Sequence, residues 1–289
     1  MHRVRAAAIL GWGSSTRDLA PFQKHSAVEW MIGLPQSAEQ ADAVLVFGGD
    51  GTIHRHLRPL VDLKLPVLVV PHGSGNDFAR ALRLKNPRSS LETWRAFVAG
   101  DTKARAVDLG VITESHSGKS TLFCCAAGVG LDGEIARRAN QLPRWLRGHG
   151  GYAVSFPGAM ARFAPFPLKL STANADGSWG LLSDRPTIVA AFANTTHYGG
   201  GMKIAPRAQF DDGKLDICVL SDIDKFKLLC LFPTVYFGKH LSVPQFHYFQ
   251  TEHARVETDH PLDVYADGEY VCQTPVEVSI KPRVLQVIF

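Results

Sequence analysis

Cysteine is scarce. The five in 289 residues are an odd number without CxxC spacing, which argues against a disulfide framework or a zinc site. Cys124 and Cys125 stand side by side in an apolar run and read as buried thiols, so a reducing cytoplasm is the expected compartment. Long hydrophobic runs are missing too. The longest, Leu228–Phe237, contains Pro233 and reaches about half of the ~20 residues that a spanning helix needs. The opening MHRVRAAAILGWGSS lacks the pattern of a signal peptide. Charge of one sign is not in excess: 31 basic against 27 acidic residues leave +4, which gives no argument for nucleic acid as a partner. A cytoplasmic protein is expected, soluble or resting on the inner face of a membrane. Internal repeats and low-complexity tracts are absent.

Apolar residues, by contrast, make up 45% of the chain, enough for a substantial core in one large domain or two medium ones. Up to about Lys103, strand-like and helix-like segments alternate. RVRAAAIL, SAVEWMI, AVLVF and PVLVV read as strands apolar on both faces. SAEQA, TIHRHLRPLV, NDFARALRL and SSLETWRAFVAG read as helices, the last with Ser90 as its cap, Leu91, Trp94 and Val98 on one face, and Gly100 as its stop. This alternation predicts an α/β domain whose parallel sheet is covered on both sides. Beyond Lys103, strands follow one another across turn residues, which predicts an antiparallel β-sandwich domain with helical insertions near 131–163 and 225–238. The boundary is placed at Asp108: residues 1–108, with 283–289 as a returning strand, form the first domain, and 109–282 the second.

VLVFGGDGT (Val44–Thr52) empties a buried strand into a loop almost bare of side chains. In an open parallel sheet, ligands bind beyond the carboxyl ends of the strands. Glycines there let main-chain N–H groups approach an anion, and the helix that follows adds its positive end, worth about 0.3–2 kcal/mol toward a phosphate. Asp50 would repel a phosphate it touched. It suits a metal bridging phosphates, or an acceptor that orders the loop. A ligand-free strand–helix turn explains one such loop equally well, but PVLVVPHGSGNDFARAL repeats the arrangement. There a strand runs into Pro71–Gly75, a helix opens at Asn76 and Asp77, and Phe78 and Leu82 pin that helix to the sheet. Two neighbouring glycine loops with one acid each point to a nucleotide-phosphate site with its metal. SHSGKS (Ser115–Ser120) lacks the first glycine of a P-loop, HGSG is not a GxSxG elbow, and no GxGxxG opens a first βα unit.

GGDGT (Gly48–Thr52), PHGSGNDFAR (Pro71–Arg80), AVDLG (Ala106–Gly110), GVGLDGEI (Gly128–Ile135), HYGGGMKIAP (His197–Pro206), DDGKLD (Asp211–Asp216) and ADGEYV (Ala266–Val271) follow in order along the chain. In that order the chain resembles the diacylglycerol kinase-like lipid kinases, bacterial soluble members related to sphingosine and ceramide kinases. The resemblance implies a nucleotide-binding α/β domain, a β-sandwich domain, an active site between them, and transfer of the ATP γ-phosphoryl group to a lipid hydroxyl with Mg2+. It implies ATP contacts at Gly48, Gly49, Asp50, Gly51 and Thr52 and, in the second loop, at Gly73, Ser74 and Asn76. Asp50 and Asp77 would serve the catalytic centre, and Asp77 and Asp108 a metal-associated acidic network. Asp212 would ligate Mg2+ with main-chain carbonyls near Gln209 and Lys214, and Glu269 would be the general base, beside Asp267. The pattern departs from the family at the start of the chain, where GWGSS stands in place of an Asn-Pro loop.

Glu269 follows Asp267-Gly268, a turn able to aim it out of a strand end; a solvated turn acid is the plain alternative. DDG at Asp211–Gly213 is a common surface turn, and Asp132 reads as a helix cap in preference to a substrate contact. For membrane contact, Arg137, Arg138, Arg144 and Arg147 surround Leu142, Trp145 and Leu146, a pattern suited equally to an anionic interface and to a solvated basic helix. The aromatic run 233–249 reads as core, with an acyl-chain cleft as the second option. The expected partner is a membrane lipid such as diacylglycerol, with no nucleic acid, and a homodimer is among the assemblies the sequence allows. Two other readings stand beside this one: an NAD kinase-type soluble kinase, and a lipid-binding regulatory module without activity.

Overall fold

The computed structural model describes residues 3–24, 28–143 and 150–289. The chain divides into two compact units, Met1–Asp108 with Arg283–Phe289, and Leu109–Pro282.

In the first unit, β1 (Val4–Leu10), α1 (Thr16–Gln23), β2 (Val28–Ile32), β3 (Ala43–Gly48), α2 (Asp50–Leu63), β4 (Val67–Pro71), α3 (Asp77–Ala81) and α4 (Pro87–Ala99) follow in order. The sheet runs β4-β3-β1-β2, all parallel, with Ala6 opposite Ala43 and Val44 opposite Val67. Every residue of β3 and β4 is buried, as continuous apolar strands in a covered parallel sheet require. β2 departs from the expectation of strands apolar on both faces: it is an edge strand, half-buried, with Ile32 exposed. The SAEQA segment is a single 3-10 turn, Ala38–Gln40. α4 starts earlier than its expected Ser90 cap. Asn86 caps it, accepting the Ser89 N–H at 2.9 Å, with Pro87 at the first helical position. Ser90 is instead buried inside the helix, donating its hydroxyl to the Val69 carbonyl at 2.8 Å.

β5 (Ala104–Glu114) leads into the second unit, which holds β6 (Ser120–Phe123), β7 (Ala126–Gly130), α5 (Leu131–Gln141), α6 (Gly151–Arg162), β8 (Phe166–Ala173), β9 (Trp179–Ala193), β10 (Leu215–Ser221), α7 (Lys225–Val235), β11 (Phe246–Thr251), β12 (His253–Thr258), β13 (Asp263–Ala266) and β14 (Glu269–Gln273); the last strand, β15 (Val276–Ile288), returns to the first unit. Pairing here is antiparallel: β14-β13-β7-β9-β8-β12-β15, with β10 between β9 and β11. Phe123, Leu168, Phe192, Ile217, Val256 and Val278 belong to one buried core. Gly110, from AVDLG, lies under the ring of Phe123, where a Cβ would fall 2.0 Å from the ring edge. A second apolar cluster gathers Leu131, Ile135, Phe156, Ile188 and Leu228 from α5, α6, β9 and α7.

Candidate functional site

In the first unit, β1, β3 and β4 end at one edge of the parallel sheet, each followed within two residues by a glycine. Gly11 donates its N–H to the Phe47 carbonyl at 2.8 Å, and His72 to the Gly48 carbonyl at 3.0 Å. The two glycine loops meet main chain to main chain. A Cβ on Gly73 would fall 2.3 Å from the Gly49 Cα, and one on Gly49 would fall 2.7 Å from the Gly73 Cα. Neither position has room for a side chain. Thr52 is buried between Gly11 and Gly48, where an added Cβ would in each case lie 2.5 Å from its side chain. The GWGSS loop, departing from the family pattern, still closes this edge: Ser14 Oγ donates to the Phe47 carbonyl at 3.1 Å.

Asp50 opens α2 and reaches across to the second loop. Its Oδ2 accepts the Asp77 N–H at 3.0 Å and its Oδ1 the Phe78 N–H at 3.1 Å. Of the two roles the sequence left open, this geometry is that of the ordering acceptor. Asp77 is buried, and its carboxylate pairs with Arg80 one turn on. Asn76, at φ +54°, closes its own loop: Oδ1 accepts the Gly73 N–H at 2.8 Å and Nδ2 donates to the Gly73 carbonyl at 2.7 Å. Ser74 is exposed at the loop tip, and Gly51 sits in the first turn of α2. Gly49 caps α2 without a side chain, so no side-chain oxygen is set against the first amides of that helix. An anion suits such an edge: bare main chain, the positive end of a four-turn helix, and no Cβ in the way.

The acids assigned to metal are distributed differently. Asp108 is fully buried and accepts the Arg283 N–H at 2.7 Å, tying β5 to β15. Asp212 is exposed in the second unit; its Oδ1 accepts the Lys214 N–H at 3.0 Å, and Gln250 Nε2 lies 3.4 Å from Oδ2. Gln209 is exposed on the same segment. A carboxylate with nearby main-chain carbonyls is an all-oxygen set of the kind Mg2+ takes, completed by water. Among the described residues, however, no three ligand side chains gather around Asp77, Asp108 or Asp212. The one such group is Cys124, Cys125 and Asp267.

Asp267 and Gly268 make the tight turn between β13 and β14, both with positive φ, 50° and 84°. The turn is held on three sides. Asp267 accepts the Cys124 N–H at 2.9 Å and the Cys125 N–H at 2.8 Å, its own N–H donates to the Ala126 carbonyl at 3.0 Å, and Asn140 Nδ2 donates to the Gly268 carbonyl at 2.8 Å. Glu269, the next residue, opens β14 with its side chain exposed. A fixed turn thus presents an open carboxylate.

Asp132 is not the cap that the sequence suggested. Gly130 precedes the helix at φ +94°, and Asp132 is buried within its first turn. The Tyr152 hydroxyl donates to Asp132 Oδ1 at 3.2 Å, and the Tyr198 hydroxyl also favours the charged carboxylate. The carboxyl lies over Gly128, where a Cβ would fall 1.9 Å from Oδ2; this explains the first glycine of GVGLD. Burial pushes the Asp132 carboxyl up to about 6, against the opposing pull of the tyrosine hydrogen bonds. Around it is a narrow cavity walled by Leu131, Ile135, Phe156, Met202, Phe232 and Phe246. HYGGGM supplies two of its residues: Gly199, Gly200 and Gly201 all take positive φ and turn the chain so that Tyr198 pairs with Met202. The aromatic run gives this cavity Val235 and Phe246, and Tyr152 gave no signal in the sequence. Two of the four arginines read for a membrane surface, Arg137 and Arg138, pair with Glu134 at 2.8 and 2.6 Å. Arg144, Trp145, Leu146 and Arg147 lie outside the described residues.

Comparison with known proteins covers both units. Residues 125–289 match the YegS C-terminal NAD kinase beta sandwich-like domain, and residues 22–112 the diacylglycerol kinase catalytic domain. A diacylglycerol kinase of Mycobacterium tuberculosis (strain ATCC 25618 / H37Rv) is 34% identical over 253 residues, 87% of this chain and 78% of that protein. The crystal structure of a diacylglycerol kinase from Bacillus anthracis str. Sterne matches with a TM-score of 0.68 at 19% identity, covering 99% of this chain and 97% of that one. An NAD kinase from Archaeoglobus fulgidus in complex with ATP matches with a TM-score of 0.53 at 15% identity, covering 99% and 92%. At such identities the last two likenesses speak for the fold alone.

Proposed function

The chain belongs to the diacylglycerol kinase-like lipid kinases, and from that premise we propose that it transfers the γ-phosphoryl group of ATP to the hydroxyl of diacylglycerol or a related lipid. The observation that carries this reading is the contact between Gly49 and Gly73, which leaves two loops and the start of α2 as bare main chain at one sheet edge. Their amides take the ATP phosphates. Phosphoryl transfer asks the protein mainly to position its reactants and to balance charge. Asp50 contributes by locking the second loop to the first, because its carboxylate holds the N–H groups of Asp77 and Phe78.

Glu269 accepts the proton of the lipid hydroxyl as that oxygen bonds to the γ-phosphorus and ADP departs. General-base help of this kind is worth roughly 10²–10⁴ in rate. Asp267 does not share the proton; held by two amides, it fixes the turn that aims Glu269. Asp212 and the carbonyls beside it would hold Mg2+, which supplies charge neutralisation and local order. The apolar cavity beneath α7 is the place for a lipid tail, and Asp132 and Tyr198 are the polar groups within its walls.

The test is transfer of radiolabel from γ-labelled ATP to a panel of diacylglycerol, monoacylglycerol, sphingoid base and isoprenoid alcohol, with Glu269→Gln alongside. Label is expected on a lipid, with a loss of roughly 10²–10⁴ in the variant and unchanged thermal stability, since the side chain is exposed. Label on a soluble nucleotide and on no lipid would overturn the reading. Full activity in Glu269→Gln would remove that residue from the site.

A further inference from the structure

α7 is apolar on two opposite sides. Leu228, Leu231, Phe232 and Val235 face inward and line the cavity described above. Phe226, Leu229, Cys230 and Pro233 recur every three or four residues on the other side, continued by Phe237 just beyond the helix, and all five are exposed. Phe226 and Phe237 expose 73% and 72% of their surface and Leu229 42%. A helix apolar on all sides belongs in a core or against a second apolar phase, and only its inner side has a core. No helix among the described residues is long and apolar enough to cross a membrane.

The charge around this stripe selects its occupant. From Lys225 to Thr251 the sequence contains Lys225, Lys227 and Lys239 and no Asp or Glu. All three lysines are exposed. Asp224, just before the helix, is engaged as its cap, accepting the Lys227 N–H at 3.0 Å. Exposed aromatic and aliphatic side chains ringed by lysine fit the boundary between acyl chains and anionic headgroups.

We propose that the outer face of α7 docks on an anionic lipid bilayer, so that the wall of the tail cavity is itself the membrane-contacting element. The docking rests on the lipid-kinase reading for its purpose, but not for its test. The free volume of the cavity is about 50 Å³, roughly that of one or two waters. An acyl chain enters only when a wall moves, and α7 is the wall with an apolar outer side for the bilayer to receive.

The experiment uses the purified full chain with vesicles of phosphatidylcholine alone or mixed with phosphatidylglycerol. An environment-sensitive dye is carried on the exposed Cys230 in a Cys272→Ser background, the other cysteines being buried. Mixed vesicles are expected to shift the dye emission to the blue and to sediment the protein, more weakly at high salt. Neutral vesicles should do so far less. The combined variant F226S/L229S/F237S should lose at least tenfold in vesicle affinity while retaining its turnover of a dispersed short-chain diacylglycerol. Undiminished vesicle binding by that variant, or a dye that does not respond to vesicles, overturns the proposal. So does a wild-type dimer that the variant converts to monomers without vesicle binding by either, since the face then meets a second copy. Vesicle binding without any kinase activity would count against the lipid-kinase reading and leave the docking intact.

Discussion

Two carboxylates, one in each unit, show how differently the two halves of the molecule use an acid. Asp50 is half-buried and works as a charge, with each oxygen taking a main-chain N–H from the start of α3. Asp132 is buried among apolar side chains, and burial raises its carboxyl to about 6, so that its neutral form persists to a higher pH than in water. One acid organises a loop; the other is tolerated by a cavity. The difference follows from the partners: aligned amides stabilise an anion, whereas removal from water penalises it and tyrosine hydroxyls offset only part of that cost.

The sharpest break in this contrast is Asp50→Ala. It leaves two N–H groups at the start of α3 without their acceptor, and each such loss costs about 1–3 kcal/mol. Denaturant unfolding should register a loss of roughly 2–6 kcal/mol, together with weaker ATP binding. A variant as stable as the wild type would move Asp50 from loop ordering to metal contact. The opposite behaviour is expected of Asp132→Asn. With a folded value near 6 against about 3.9 in the unfolded chain, the folded protein holds more protons between those limits. Stability from this group is therefore full below about pH 4 and lost as pH rises through about 6. Replacing it with Asn should flatten that slope and gain on the order of 2–3 kcal/mol at pH 7. Parallel pH curves for variant and wild type would show that Asp132 ionises freely. The smallest of the three effects is expected for Gly73→Ala, where crowding against Gly49 should cost about 1–3 kcal/mol, or roughly five- to 150-fold in ATP affinity by calorimetry. Unchanged affinity would mean that the loops part without consequence.

The same contrast explains what could be read without the structure. Main-chain sites leave a compact trace: Gly48, Gly49, Gly73 and their flanking strands are local in sequence, and their glycines have few other reasons to be there. The parallel sheet was visible for the same reason, since β3 and β4 are short runs buried on both faces. The cavity had no such trace. Its lining comes from α5, α6, β9, the HYGGGM turn, β10, α7 and β11, and an aromatic or leucine in any one of them looks like ordinary core. Asp132 looked like a cap because it is an acid near a helix start, shortly after Gly128 and Gly130. The carboxyl turns inward because Gly128 leaves space above its backbone, and a pairing at that distance depends on geometry that spacing does not encode.

Because the Gly49 and Gly73 backbones rest on each other and Asp50 spans the same gap, the two loops form one mechanical body. A displacement at the start of α3 is felt at the start of α2 without any side chain to absorb it. Neither Gly49 nor Gly73 can take a side chain without parting the two loops, so this joint itself has almost no alternative spelling.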